Sequence, residues 1–228
     1  MPAPILLPKP PTSLSRWAVI ACDQFTSEPE YWQEVSHRVA GEPSTLNIIY
    51  PECYLSEGDA RIAHIRETMA EYRRNVLGRA CTGFVLVERQ TTSGNRLGLM
   101  MAIDLERYDY AKGTKSLVRA TEQTIEERIP PRVKIRRGAP LESPHIMLLV
   151  DDPDKRLIEP LYAEREQLRK LYDFNLMLNG GRIRGWAVSG PLVGRVQQAL
   201  SQLYDRSEGL LFAVGDGNHS LATARQCW

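Results

Sequence analysis

Between residues 210 and 225 the chain reads LLFAVGDGNHSLATAR, and this stretch restricts the fold more than any other. Leu210, Leu211, Phe212, Ala213 and Val214 form an unbroken apolar run, the pattern of a strand buried on both faces. Gly215, Asp216 and Gly217 follow. Asn218, His219 and Ser220 then lead into Leu221, Ala222, Thr223 and Ala224, which suit the first turns of a helix. A buried strand that turns on glycines into a helix gathers backbone N–H groups and the positive end of the helix dipole at one point, a natural place for an anion. Glycine permits positive φ and lets a phosphate approach the backbone without a Cβ in the way. The same connection can also be a tight turn and nothing more. The polar residues weigh for chemistry: Asp216 can hold a metal or accept a proton, and Asn218 and His219 can donate to an anion.

GDGNHSLATAR resembles the signature of the domain-of-unknown-function 1015 family. That family is similar to the ParB/sulfiredoxin-like superfamily and includes an ADP-dependent free-serine kinase. Kinase relatives carry a related Asp-Gly-His-His-Arg pattern. This chain keeps Asp216, Gly217 and His219 but has Asn218 for the first histidine and Ser220 for the arginine. Sulfiredoxin-like relatives place a cysteine in the turn; none stands here, so the resemblance implies no redox chemistry.

Three further stretches resemble the family. In VIACDQFTSEPEYW, an apolar run over residues 17–22 is expected to be a strand ending at Asp23 and Gln24, with Thr26 or Ser27 capping a helix that holds Tyr31, Trp32, Val35 and Val39. Asp23 sits where strand gives way to helix, a usual place for ligand contacts, and the resemblance puts it in a substrate site. A turn or cap role for Asp23 stays open. The segment LVRATEQT matches an Arg-x-x-Glu-x-Thr pattern of the relatives through Arg119, Glu122 and Thr124. Arginine offers a planar fork to phosphate, and Glu122 could bind Mg²⁺ or orient a hydroxyl. A structural Arg119–Glu122 pair is the alternative. In LESPHIMLLVDDP, His145 precedes a strand over 146–150, and Asp151 and Asp152 look like turn and cap residues.

Elsewhere the pattern is organisational. Residues 1–15 hold five prolines and are expected to lie as an extended arm over the surface. LNIIY (46–50) reads as a short strand. Residues 56–77 form the clearest helix, with Ile62, Ile65, Met69, Tyr72 and Val76 at helical spacing and Gly78 as its cap. Residues 82–88 and 96–104 suggest one hairpin, and 173–178 with 183–188 a second. Helices are expected over 159–171 and 192–203. Arg132, Lys134, Arg136 and Arg137 could reach an anion, but such a run is more often a solvated helix face.

The formal net charge of +1 gives no electrostatic case for nucleic acid or an anionic membrane. No apolar run is long enough to cross a bilayer, and the opening lacks the basic segment of a secretory signal. Cys22, Cys53, Cys81 and Cys227 are widely spaced, as expected of buried thiols in the cytoplasm. The motif lacks a third glycine for dinucleotide binding, the chain has no Walker sequence and no G-x-S-x-G elbow, and its four histidines are scattered.

The expected architecture is α/β (α+β), a mixed β-sheet with flanking helices, ParB/sulfiredoxin-like. Residues 1–16 would be the arm and 17–228 a single domain, either naturally short at its C-terminus or truncated, since family members continue further. The expected function is phosphoryl transfer from ADP or ATP, with Mg²⁺, to a small hydroxyl compound such as free serine. Gly215, Gly217, Asn218, Ser220, Arg119 and Thr124 would bind the nucleotide and Asp216 and Glu122 the metal. Asp23, Asp216 and His219 would be catalytic. A non-catalytic nucleotide-binding regulator or degenerate kinase is the alternative.

Overall fold

A computed structural model describes residues 1–20, 25, 28–143 and 145–228. The proline-rich opening is a strand and not a surface arm: β1 (Ala3–Pro8) pairs antiparallel with β2 (Leu77–Thr91), from Ala3 opposite Gly83 to Pro8 opposite Leu77. Prolines are tolerated because β1 is an edge strand, where a missing N–H breaks no second ladder.

The expected strand over 17–22 is absent from its described part. A short helix α1 (Leu14–Trp17) occupies its start and residues 18–20 follow without regular structure. Helix α2 (Pro29–Val39) buries Trp32, Val35 and Val39. The LNIIY strand is also overturned. Thr45–Ile48 is a 3₁₀ turn, with the Ser44 hydroxyl accepting from the Leu46 amide at 3.3 Å. Leu46 and Ile48 still bury, but into two different clusters, which a flat strand could not arrange. Helix α3 (Gly58–Asn75) follows its expected course, with Ile62, Ile65, Met69 and Tyr72 buried. Gly78 does not cap it, because it already belongs to β2.

The first hairpin forms as expected: β3 (Gly94–Met100) folds back on β2, Thr91 facing Gly94 across the turn. Then come β4 (Tyr108–Asp109), β5 (Val118–Ala120), α4 (Ile129–Arg136), β6 (Met147–Val150) and α5 (Glu159–Ala163). The expected helix over 159–171 is cut short, since β7 (Lys170–Asn175) must pair with β8 (Arg182–Val188) in the second hairpin. Helix α6 (Pro191–Arg206) leads to β9 (Phe212–Asp216) and α7 (Asn218–Cys227).

These strands make two sheets. The antiparallel one runs β1-β2-β8-β7 with β3 also on β2. The mixed one runs β4-β5-β9-β6, with β4, β5 and β9 parallel and β6 antiparallel to β9. This is an α+β protein with a mixed sheet and flanking helices. Phe84, Leu86, Trp186 and Val188 of the first sheet pack with Val196 and Leu203 of α6. Tyr108, Val118, Phe212 and Val214 of the second pack with Ile129, Val133, Leu221 and Ala222 of α4 and α7. Met101, Val150, Leu200 and Leu211 touch both clusters and join them. No helix among the described residues is long and apolar enough to cross a membrane.

Candidate functional site

The parallel strands β5 and β9 lie side by side, Ala120 opposite Val214, so their C-terminal ends open at one corner. Just past that corner Gly217 takes φ +80°, and α7 begins. The left-handed conformation is a sufficient reason for glycine here. The missing side chain does not make room for a ligand, as the sequence suggested. A Cβ at Gly217 would lie 3.1 Å from Ile146 Cα, so the backbone is pressed against the residue that precedes β6. Gly215 has ordinary φ, and its Cβ would meet the Leu149 side chain at 3.0 Å.

No side chain caps α7 at Gly217. Asp216 is exposed, and its Oδ1 accepts from the Gly217 amide at 2.7 Å. Asn218 is buried and anchors the turn. Its Nδ2 donates to Thr124 Oγ1 at 2.7 Å, and its Oδ1 accepts from the Tyr108 hydroxyl at 2.8 Å. Burial, reinforced by Tyr110 and Asp109, pushes the Tyr108 phenol far above its ordinary pKa, so it stays protonated and can donate to Asn218. Thr121 Oγ1 donates to the Val214 carbonyl at 2.6 Å, tying the end of β5 to β9. His219 Nε2 accepts from the Ile125 amide at 3.1 Å, which puts the proton of the neutral ring on Nδ1. Ser220 Oγ lies 2.8 Å from His145 Nε2.

The residues singled out in sequence therefore divide. Gly215, Asp216, Gly217, Asn218, His219 and Ser220 share one corner, and Thr124 joins them through Asn218. Arg119 does not. Its Nε donates to the Ser116 carbonyl at 2.7 Å and its Nη2 to the Gly209 carbonyl at 2.8 Å, toward the opposite end of β9. No pair forms between Arg119 and Glu122. Glu122 is exposed, and its backbone carbonyl, not its carboxylate, faces Asn218 Nδ2 at 3.4 Å. Asp23 lies outside the described residues. Three of the four basic residues of the run, those on α4, pair with carboxylates: Arg132 with Glu52 at 2.6 Å, Lys134 with Asp59 at 2.5 Å, and Arg136 with Glu142.

Sequence reasoning missed Tyr108 and the partnership of His145 with Ser220. No local signal could have found either. Each meets its partner across a long chain separation through the pairing of β4, β5, β6 and β9.

Chemically, the corner offers an uncapped helix N-terminus, a carboxylate, two imidazoles and a hydroxyl on a surface that solvent reaches. Two hollows of about 420 and 520 Å³ lie elsewhere, beside α2 and α3. Among the described residues no three His, Cys, Asp or Glu side chains converge as a metal cage. A family described as a protein of unknown function (DUF1015) matches residues 5–228. No curated protein and no solved structure matches the chain.

Proposed function

This chain belongs to the DUF1015 family, whose match spans nearly all of it, and we propose that it binds the phosphates of a nucleotide at the start of α7 and transfers a phosphoryl group to a small hydroxyl compound. The observation that carries this reading is the uncapped start of α7 at the C-terminal ends of parallel β5 and β9. First-turn amides and the helix dipole favour an anion there, and phosphoryl transfer needs positioning and charge stabilisation more than covalent chemistry from the protein.

Gly215, Gly217 and Ser220 would shape the phosphate cradle, Asn218 would brace it from the protein side, and His219 would donate from Nδ1. Mg²⁺ fits the donor set in one way. It is content with one or two carboxylates when phosphates and water complete its shell, so Asp216 could hold it through Oδ2, with Glu122 as the second carboxylate, and the absence of a protein cage is no obstacle. When bound, the ion would neutralise the phosphate oxygens. ADP or ATP would be the donor and free serine the prototype acceptor, with Asp23 orienting the acceptor hydroxyl. A ParB/sulfiredoxin-like fold and a cytoplasmic setting belong to the same proposal.

One observation favours a second reading, a nucleotide-binding regulator or degenerate kinase. Arg119 spends its guanidinium on two backbone carbonyls, so the fork expected to clamp phosphate is engaged away from the corner.

A thermal-shift series with ADP and ATP, with and without Mg²⁺, tests the shared premise. Nucleotide should raise the melting temperature, and Asp216→Asn should remove the Mg²⁺-dependent part of the rise while the unliganded melt stays put. No rise with any nucleotide at millimolar concentration would refute both readings. Phosphoserine formed from free serine and Mg²⁺-nucleotide separates kinase from regulator. Gly217 is the wrong residue to vary, because a side chain there strikes Ile146 whatever the ligand does.

A further inference from the structure

Ser220 and His145 are 75 residues apart in sequence, yet their Oγ and Nε2 atoms stand 2.8 Å from each other. The other ring nitrogen settles the direction of that bond. His145 Nδ1 is 3.3 Å from the Ser143 carbonyl oxygen, which can only accept, so Nδ1 carries the proton. Nε2 is then the basic nitrogen and receives the Ser220 hydroxyl proton. A hydroxyl donating to an imidazole that is itself oriented by a third group is the arrangement of an activated nucleophile.

Position on the helix adds to this. Ser220 is the third residue of α7, and side chains on a helix lean toward its N-terminus. The hydroxyl therefore faces the positive end of the dipole, where negative charge developing on an attacked group is stabilised. His145 enters from the loop before β6, and the antiparallel pairing of β6 with β9 is what holds it opposite the first turn. Both side chains are open to solvent in part.

We infer that Ser220 is a covalent nucleophile with His145 as its general base, and that its electrophile is a phosphoryl group at the start of α7. In the step, Ser220 Oγ bonds to phosphorus, the bond from phosphorus to the leaving oxygen breaks, and the Oγ proton moves to His145 Nε2. His145 then protonates the departing oxygen. Attack of an acceptor hydroxyl on the phosphoserine would restore Ser220 and complete a two-step transfer. The identity of the donor as a nucleotide rests on the function proposed above; the nucleophile itself does not.

The test uses the full chain and a fluorophosphonate, an uncharged phosphorus electrophile that needs no nucleotide site. Attack by Ser220 forms the Oγ–P bond and releases fluoride. Intact-mass and peptide analysis should place one adduct on Ser220, Ser220→Ala should remove it, and His145→Gln should slow it roughly 100-fold, the usual contribution of a general base. Ser220→Cys guards against a folding defect: its thiol should react with iodoacetamide faster when His145 is present than when it is Gln. An unlabelled wild-type chain, an adduct on another residue, or a rate indifferent to His145 in both experiments overturns the inference. Labelling without any nucleotide-induced thermal shift would leave the dyad standing and remove the nucleotide. A thermal shift without labelling would do the reverse.

Discussion

Asn218 fixes where α7 starts. It is only 4% exposed, and it satisfies Tyr108 and Thr124 at once through the two ends of its amide. Removing the amide takes away the shortest partner of a buried phenol and of a buried hydroxyl, and an orphaned polar group costs about 1–3 kcal/mol. Asn218→Ala should therefore lower stability by up to that amount for each group, read as a fall in the urea midpoint at unchanged slope. An unaltered midpoint would show that the amide anchors nothing. Asn218 could be singled out from sequence, as could Asp216, His219 and Ser220, because a strand that turns on glycine into a helix is a local pattern. What each side chain would touch was not legible. Asn218 is 110 residues from Tyr108, and Ser220 is 75 from His145. Asn218 looked like an anion donor in sequence and is an internal brace in the fold.

At the scale of elements, periodicity served where it was long. Helix α3 repeats its apolar positions over eighteen residues and could hardly be anything else. The runs WAVIAC and LNIIY are too short to carry a period, and in such cases caps and tertiary neighbours decide. Ser44 turns the second into a 3₁₀ turn, helped by the Tyr72 hydroxyl, which accepts from the Ser44 amide at 3.0 Å. Within the antiparallel sheet Gly185 of β8 lies opposite Tyr172 of β7, directly beneath its ring. Burial pushes the Tyr172 phenol up to about 12. A Cβ at Gly185 would lie 2.1 Å from Tyr172 Cζ. Gly185→Ala should cost about 1–3 kcal/mol by overpacking, and the double variant Gly185→Ala, Tyr172→Ala should show a coupling between the two positions. Strict additivity would refute the contact.

The same sheet buries a carboxylate. Glu88 of β2 is 1% exposed, accepts from the Tyr162 hydroxyl at 2.8 Å, and forms an ion pair with Arg184, its cross-strand neighbour, at 2.7 Å. Asn95 of β3 donates to it as well, at 3.4 Å, and such a charge is tolerable because its partners are fixed by the pairing of β2 with β8 and β3 and by α5.

For the whole molecule the decisive feature is the seam. Met101, Val150, Leu200 and Leu211 belong to the surroundings of both large cores, so neither sheet can lose its packing alone. Thermal or urea unfolding followed by tryptophan fluorescence and by far-ultraviolet circular dichroism should give coincident curves. Two separated transitions would mean that the sheets fold as independent units.

The sequence by itself determined the α+β class, the long helices, both hairpins and the strand–glycine–helix corner, because each of these follows from short-range backbone geometry and the spacing of apolar residues. The tertiary structure alone decided that the proline-rich start joins a sheet, that Arg119 faces away from the corner, and that His145 meets Ser220. Those outcomes depend on which strands pair and in what register, and pairing is set by burial summed over the whole chain, which no local run of residues encodes.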